Sequence, residues 1–199
     1  MLMQILLVLL FWMNGVPPYE TYPDNPKKII AKNEAKGYIP WQSSRKLTWN
    51  DFQSAVDAND PLHAMTSTNI SVQANCQGNV VQFEVKCQFA LHESWSKNKG
   101  SEILLQHEQL HFDLTEIYAR QLRQKLSQLK NLCTSDRSKF TVTVNKVFAD
   151  WKKEQNRYDT ESDHGLNDEK QLYWSEQIAA RLQELAAYQA NSTNETAGL

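Results

Sequence analysis

The chain has 199 residues, 41% of them hydrophobic and 22% charged, with a net charge of −2 and a pI near 6.2. That length supports one substantial core, a single domain of about 150 to 180 ordered residues rather than two. Lys and Arg are interspersed with acids and glutamines and leave no basic footprint, so nucleic acid is not an expected partner.

Residues 1–15, MLMQILLVLLFWMNG, form an apolar run too short to cross a bilayer as a helix. The run matches the hydrophobic region of a secretory signal peptide, although no Lys or Arg precedes it and Gly15 is the best available end for cleavage. The expectation is export to the periplasm or beyond, with no stable membrane span. An uncleaved N-terminal segment holding the protein at the membrane is the alternative, and a buried first strand the third reading. No cysteine stands at this boundary to carry a lipid. Residues 16–45, rich in Pro, Lys and polar residues, read as a linker into a folded domain at 46–190. The small, polar residues 191–199 read as a disordered tail.

Leu47-Thr48-Trp49-Asn50-Asp51-Phe52 reads as a strand or strand end, and another strand begins between Ala64 and Thr68. From there the period is two. Ile70, Val72, Ala74 and Cys76 alternate with polar residues, and after Gln77-Gly78-Asn79 the pattern resumes with Val81, Phe83, Val85, Cys87 and Phe89. This predicts a β-hairpin with one buried face. If Cys76 faces Val81, Cys87 faces Ile70, so the two cysteines lie too far apart along the ladder for a disulfide. A bridge from Cys133 to either strand cysteine stays open in an oxidising compartment.

Ser101 is placed to cap a helix over LLQHEQLHFDLTEIYARQLRQKL. Leu104, Leu105, Leu110, Leu114 and Ile117 put apolar residues on several sides of it, so the helix is expected to be buried around much of its circumference. It contains His107-Glu108-Gln109-Leu110-His111, an HExxH pentapeptide. Histidines four apart lie one turn above each other on one face, as two ligands of one zinc ion must. Glu108 sits beside them, able to reach a water without ligating the metal, which is the position of a general base. Such groups buried without partners would cost several kcal/mol, so a metal accounts for them better than chance does.

A zinc site that keeps a water needs a third protein ligand. Asp113 and Glu116 point away from the histidine face. The spacing HExxHxxGxxH fails, because Leu114 and Ile117 stand where Gly and His would be, and no acid falls about twenty residues downstream. Further on, Tyr158-Asp159-Thr160-Glu161-Ser162-Asp163-His164-Gly165 forms a polar cluster between helical patterns at 140–155 and 169–187. His164 is the preferred third ligand there, ahead of His63 in an apparent loop and His92 near the hairpin's end. Asp159 and Asp163 remain alternative ligands, and Tyr158 is a candidate donor to a developing oxyanion.

LTWNDF, AMTST from Ala64, SW at Trp95, LLQHEQLHFDLTEIYARQLR and YDTESDHGLNDEKQLYW together resemble a bacterial domain family of unknown function described as secreted zinc-dependent proteases. The resemblance covers roughly residues 46–185. It implies that His164 belongs to the site, because the HEQ-HFD and YD-x-E-x-x-HG blocks recur together in that family, and it implies a Gram-negative source. The element order is similar to the zincin arrangement, by analogy an α+β fold with a small antiparallel sheet on a long HExxH helix followed by further helices. In that arrangement an edge strand meets an extended substrate, here expected around His92 to Trp95.

The expected function is therefore hydrolysis of peptide bonds in a peptide or protein substrate. Zn2+ held by His107, His111 and His164 would acidify a water, and Glu108 would move its proton. Two alternatives are an inactive zincin-like domain that binds a peptide or partner in the cell envelope, with zinc as a staple, and a zinc amidase acting on envelope material. Oligomeric state is not legible.

Overall fold

The computed structural model describes residues 37–190, apart from 57, 79, 131, 132 and 134–136, together with 196 and 197. The apolar run at 1–15, residues 16–36 of the expected linker and most of the tail at 191–199 lie outside the described residues. Among the described residues no helix is long and apolar enough to cross a membrane.

The architecture is α+β: a small antiparallel sheet and three long helices. Strands β3 (Thr68–Gln77) and β4 (Val80–Ala90) form the predicted hairpin, with Cys76 opposite Val81 and Cys87 opposite Ile70. Ile70, Phe83, Val85, Cys87 and Phe89 are all buried, so the alternation did mark the inner face. Strand β1 (Tyr38–Pro40) pairs with the other edge of β4, Tyr38 opposite Ala90. It lies inside the segment read as linker. Ile39 is buried there between polar and proline neighbours, too short a run to show a period. A separate two-stranded ribbon joins β2 (Ala64–Met65) to β5 (Trp95–Ser96), and β6 (Thr196–Ala197) pairs with Val81 and Gln82 of β4.

The expected strand at Leu47–Phe52 is instead a short 3-10 turn, Trp49–Asp51. Asp51 explains it: its carboxylate accepts from the backbone N–H of Thr48 at 2.7 Å and from the guanidinium of Arg45 at 2.9 Å, closing the chain into a capped turn.

Helix α1 (Glu102–Ser127) begins at Ser101, whose hydroxyl accepts from the N–H of Leu104 at 3.2 Å. It packs on β3 and β4 and also on α2 (Arg137–Ser162) and α3 (Asp168–Glu184), so it runs through the middle of the protein. Every residue from Phe112 to Ala119 is buried. Polar groups in that stretch are satisfied in kind. Glu116 binds both Arg120 (2.9 Å) and Arg123 (3.1 Å), and Arg123 donates to the carbonyls of Val85 and Tyr188. Arg120 donates to the carbonyl of Leu182. Buried ions persist only when paired and fully hydrogen-bonded, and these two arginines also tie α1 to the sheet and to the end of α3.

A disulfide joins Cys76 at the hairpin tip to Cys133 after α1, across 57 residues. Of the two bridges open in the sequence, this one forms because Cys76 stands at the hairpin's far end, whereas Cys87 is a buried free thiol on the inner face.

Candidate metal centre

His107 and His111 occupy successive turns of α1, at the end where the helix emerges from the core. Their Nε2 atoms are 3.2 Å apart. Asp159 on α2 directs Oδ1 between them, 3.2 Å from His107 and 2.9 Å from His111. Zinc–ligand bonds of about 2.0–2.1 Å at tetrahedral angles would put ligand atoms about 3.3 Å apart, so the three donors are spaced much as three ligands of one zinc ion would be. They are the group of His, Cys, Asp or Glu side chains, among the described residues, whose ligand atoms come mutually within 4.8 Å. Two imidazoles and one carboxylate suit zinc.

Asp159, an alternative ligand from the sequence, thus stands where His164 was preferred. His164 is next to it: its Nδ1 is 3.6 Å from Asp159 Oδ1, and the ring is half-exposed at 53%. Asp163 is exposed and is not in the cluster. The reason lies in α2, which does not stop at Gln155 but continues to Ser162. Trp151, Gln155, Tyr158 and Ser162 are buried along one stripe at helical spacing, and Asp159 follows on that side. The segment read as a loop between helices is mostly the last two turns of a helix.

The turn after α2 is tight and left-handed. Asp163 (φ 50°), His164 (φ 52°) and Gly165 (φ 85°) follow in succession, a conformation that non-glycine residues adopt only where surroundings impose it. A Cβ on Gly165 would lie 3.0 Å from Cβ of His107 and 3.1 Å from its Cγ. The glycine lets the turn close against the first motif histidine.

Both imidazoles are held from behind by glutamines. Nδ1 of His111 donates to Oε1 of Gln155 at 2.6 Å, while the amide of Gln155 donates to the carbonyl of His111 and the hydroxyl of Thr115. Nδ1 of His107 donates to Oε1 of Gln171 at 3.3 Å, an oxygen that also accepts from the hydroxyl of Tyr158 at 2.9 Å. With Nδ1 of each ring donating to a glutamine, Nε2 is the nitrogen that each imidazole turns toward Asp159. Tyr158 itself is fully buried and stacks on His107 at 4.7 Å between ring centroids. Its hydroxyl is spent on Gln171 and the carbonyl of His107, so it does not point at a substrate as the sequence reading suggested. Neither glutamine was legible as part of the site, because an uncharged side chain on a helix carries no signal of what it faces.

Electrostatics point the same way. Burial pulls the pKa of His111 down, but the Asp159 carboxylate, with Glu108 and Gln155, outweighs it and lifts the value to about 9. Burial raises Asp159, yet His111 and His107 hold its carboxyl well below the usual carboxylate range. The pocket is built around a positive charge, proton or metal.

Glu108 is buried at 3% exposure and lines a cleft of about 900 Å3 that also exposes His107, His111, Asp159 and His164. None of the hydrogen bonds or ion pairs among the described residues engages its carboxylate, although its carbonyl accepts from Thr66 at 3.4 Å. The cleft is bordered by the segment from Pro61 to Asn69 that contains β2 and, from the expected edge at His92 to Trp95, by Glu93 alone. Trp95 is buried and pairs with Met65 of β2, the strand of the ribbon that borders the cleft.

No curated protein and no solved structure matches the chain. One family does, described as bacterial proteins of unknown function (DUF922), and its profile covers residues 40–165, from β1 through α1 and α2 to the glycine against His107. The chain belongs to that family.

Proposed function

We propose that the protein is an exported zinc metallopeptidase that cuts peptide bonds at the cleft beside α1. The observation that carries this reading is the near-tetrahedral arrangement of His107 Nε2, His111 Nε2 and Asp159 Oδ1 next to a cleft-facing, unengaged Glu108. A zinc ion there supplies Lewis acidity, polarising a carbonyl and making a water acidic near neutral pH. Glu108 takes the proton of the attacking water and delivers it to the leaving amine. Gln155 and Gln171 keep both imidazoles in the ligating tautomer, and Asp159 supplies the negative charge that offsets the cation.

Two further features support the reading. One edge of β2 is paired with β5, and β2 has no second strand partner among the described residues where it borders the cleft, so an extended peptide could add to it by backbone hydrogen bonds. The Cys76–Cys133 disulfide suits an oxidising compartment outside the cytosol, in keeping with the apolar N-terminal run.

A second reading has one observation in its favour. His164 Nδ1 is 3.6 Å from Asp159 Oδ1, near enough to a tetrahedral edge that a small movement of its turn would make it a fourth ligand. The metal would then be closed off as a structural staple in a binding domain.

One experiment separates them. Zinc per chain and cleavage of an unstructured protein such as casein are measured for the parent, Glu108→Gln, Asp159→Ala and His164→Ala. The peptidase reading expects one zinc in the parent and in Glu108→Gln, cleavage lost in Glu108→Gln, and zinc lost in Asp159→Ala. Zinc retained without cleavage in the parent, and lost in His164→Ala, establishes the staple instead.

A further inference from the structure

Thr115 stands one turn beyond His111 on α1 and is fully buried, yet four polar groups converge on its hydroxyl oxygen. Nε1 of Trp151 lies 3.2 Å away, the amide nitrogen of Gln155 3.0 Å, Oγ1 of Thr68 2.8 Å and the carbonyl of His111 2.8 Å. A hydroxyl has one proton and two lone pairs, so only three of the four can be satisfied in full. The indole and amide nitrogens are donors and nothing else, and they fill both lone pairs. The proton then has two possible acceptors. The carbonyl of His111 already accepts from the backbone N–H four residues on, as a helical carbonyl does, and from the Gln155 amide at 3.0 Å. Both of its lone pairs are taken, which leaves the Thr115 proton to Oγ1 of Thr68.

The direction of that bond has a consequence for Thr68. Having accepted, it keeps its own proton, and its hydroxyl makes no other hydrogen bond among the described residues. Thr68 is half-buried at the start of β3 and lines the cleft, as do Trp151, Gln155 and His111, the other three groups around the Thr115 oxygen. The unengaged proton is therefore offered to the cleft, about 6 Å past His111 along the axis of α1. An extended peptide advances about 3.3–3.6 Å per residue and carries a carbonyl at every step. A chain with its scissile bond at the metal thus brings a carbonyl to Thr68 from one or two residues away.

We propose that Thr68 binds the main chain of the substrate, its hydroxyl donating to a peptide carbonyl one or two residues from the scissile bond. This rests on the metallopeptidase reading and deepens it by naming what is recognised at this place: the backbone of an extended segment, whatever its side chains. The buried Thr115 oxygen supplies the specificity of the contact. Because Trp151 and Gln155 fix which way Thr115 donates, Thr68 meets the substrate as a donor and selects an acceptor there.

The test uses three zinc-binding probes on the zinc-loaded full chain. Acetohydroxamate is too short to leave the metal. Acetyl-trialanine hydroxamate and the succinyl-hydroxamate derivative of alanyl-alanine amide run from the metal in opposite directions and carry only methyl side chains. Dissociation constants are measured for the parent, Thr68→Val and Thr68→Ser. One of the two extended probes is expected to bind Thr68→Val about 3–10-fold more weakly than the parent, the usual effect of losing a hydrogen bond between neutral groups. Thr68→Ser should restore its affinity, while acetohydroxamate affinity and zinc content stay as in the parent throughout. Extended probes that bind Thr68→Val as tightly as the parent overturn the contact and leave the metal reading standing, and so does a Thr68→Ser variant as weak as Thr68→Val. A loss shared by acetohydroxamate also overturns it, since Thr68 would then act through Thr115 on the metal ligand. Failure of all three probes to bind the parent overturns the metallopeptidase reading and the contact with it.

Discussion

Gln155 on α2 and His111 on α1 meet at 2.6 Å, the amide oxygen accepting from Nδ1 of the imidazole. A neutral acceptor fixes the ring and its tautomer without the extra negative charge that a carboxylate would bring. Replacing Gln155 by Leu should lower zinc affinity by about 10–100-fold, the usual effect of removing such a partner. Competition with a chromogenic zinc chelator measures it. Unchanged affinity would mean that packing alone orients the ring.

In the metal-free protein His111 is raised from 6.5 to about 9, so it carries a proton at pH 7.5 that a metal must displace. Zinc binding at that pH should therefore release about one proton from His111, read by titration calorimetry in buffers of different ionisation enthalpy. The same shift governs the stability of the metal-free form. Because the folded pKa lies above the unfolded one, the His111–Asp159 pair stabilises fully below about pH 6.5, and that contribution fades as pH rises toward 9. The depressed Asp159 adds the acid limit: its contribution is present above its ordinary carboxylate range and is lost as pH falls below it. Thermal melts of chelator-treated protein at pH 6 and pH 9 should show the fall, and Asp159→Asn should flatten it.

Gly165→Ala should act at a distance of one residue contact. The new methyl meets His107 at 3.0 Å, and the backbone at φ 85° disfavours any side chain. A loss of about 1–3 kcal/mol in stability is expected together with weaker zinc binding. Chemical denaturation with and without zinc separates the two effects. A variant as stable and as tight as the parent would show that the turn can relax away from the histidine.

The Cys76–Cys133 bridge closes a loop with a sequence separation of 57, for which chain entropy predicts about 4 kcal/mol of stabilisation. A double Cys→Ser variant should lose stability on that order, read by urea midpoint. Its zinc content should not change, because the bridge ties the hairpin tip to the residues beyond α1, away from the histidines.

Much of the fold could be read from residue order. The hairpin register followed from alternation because one face of β3 and β4 is buried, and a slip by one residue would have turned Phe83, Val85 and Phe89 to solvent. Ser101 as cap and the paired histidines followed from local geometry. The extent of α2 did not, because its last buried positions are Gln155, Tyr158 and Ser162, polar residues whose burial depends on partners from α1 and α3. Without those turns as helix, the sequence favours His164 with its neighbouring glycine over Asp159. The 3-10 turn at Trp49–Asp51 was hidden for a similar reason: Asp51 caps it through Thr48 and Arg45, and strand-forming residues around it give no hint of that.

The burial of α1 has a consequence for how long the protein would keep a metal at the proposed site. Its central turns, Phe112 to Ala119, are covered on all sides and locked to the sheet and α3 by Arg120 and Arg123, so they belong to the part of the molecule that opens last. His107 and His111 project from the turns just ahead of that segment. Their spacing is thus set by the most slowly opening element of the fold.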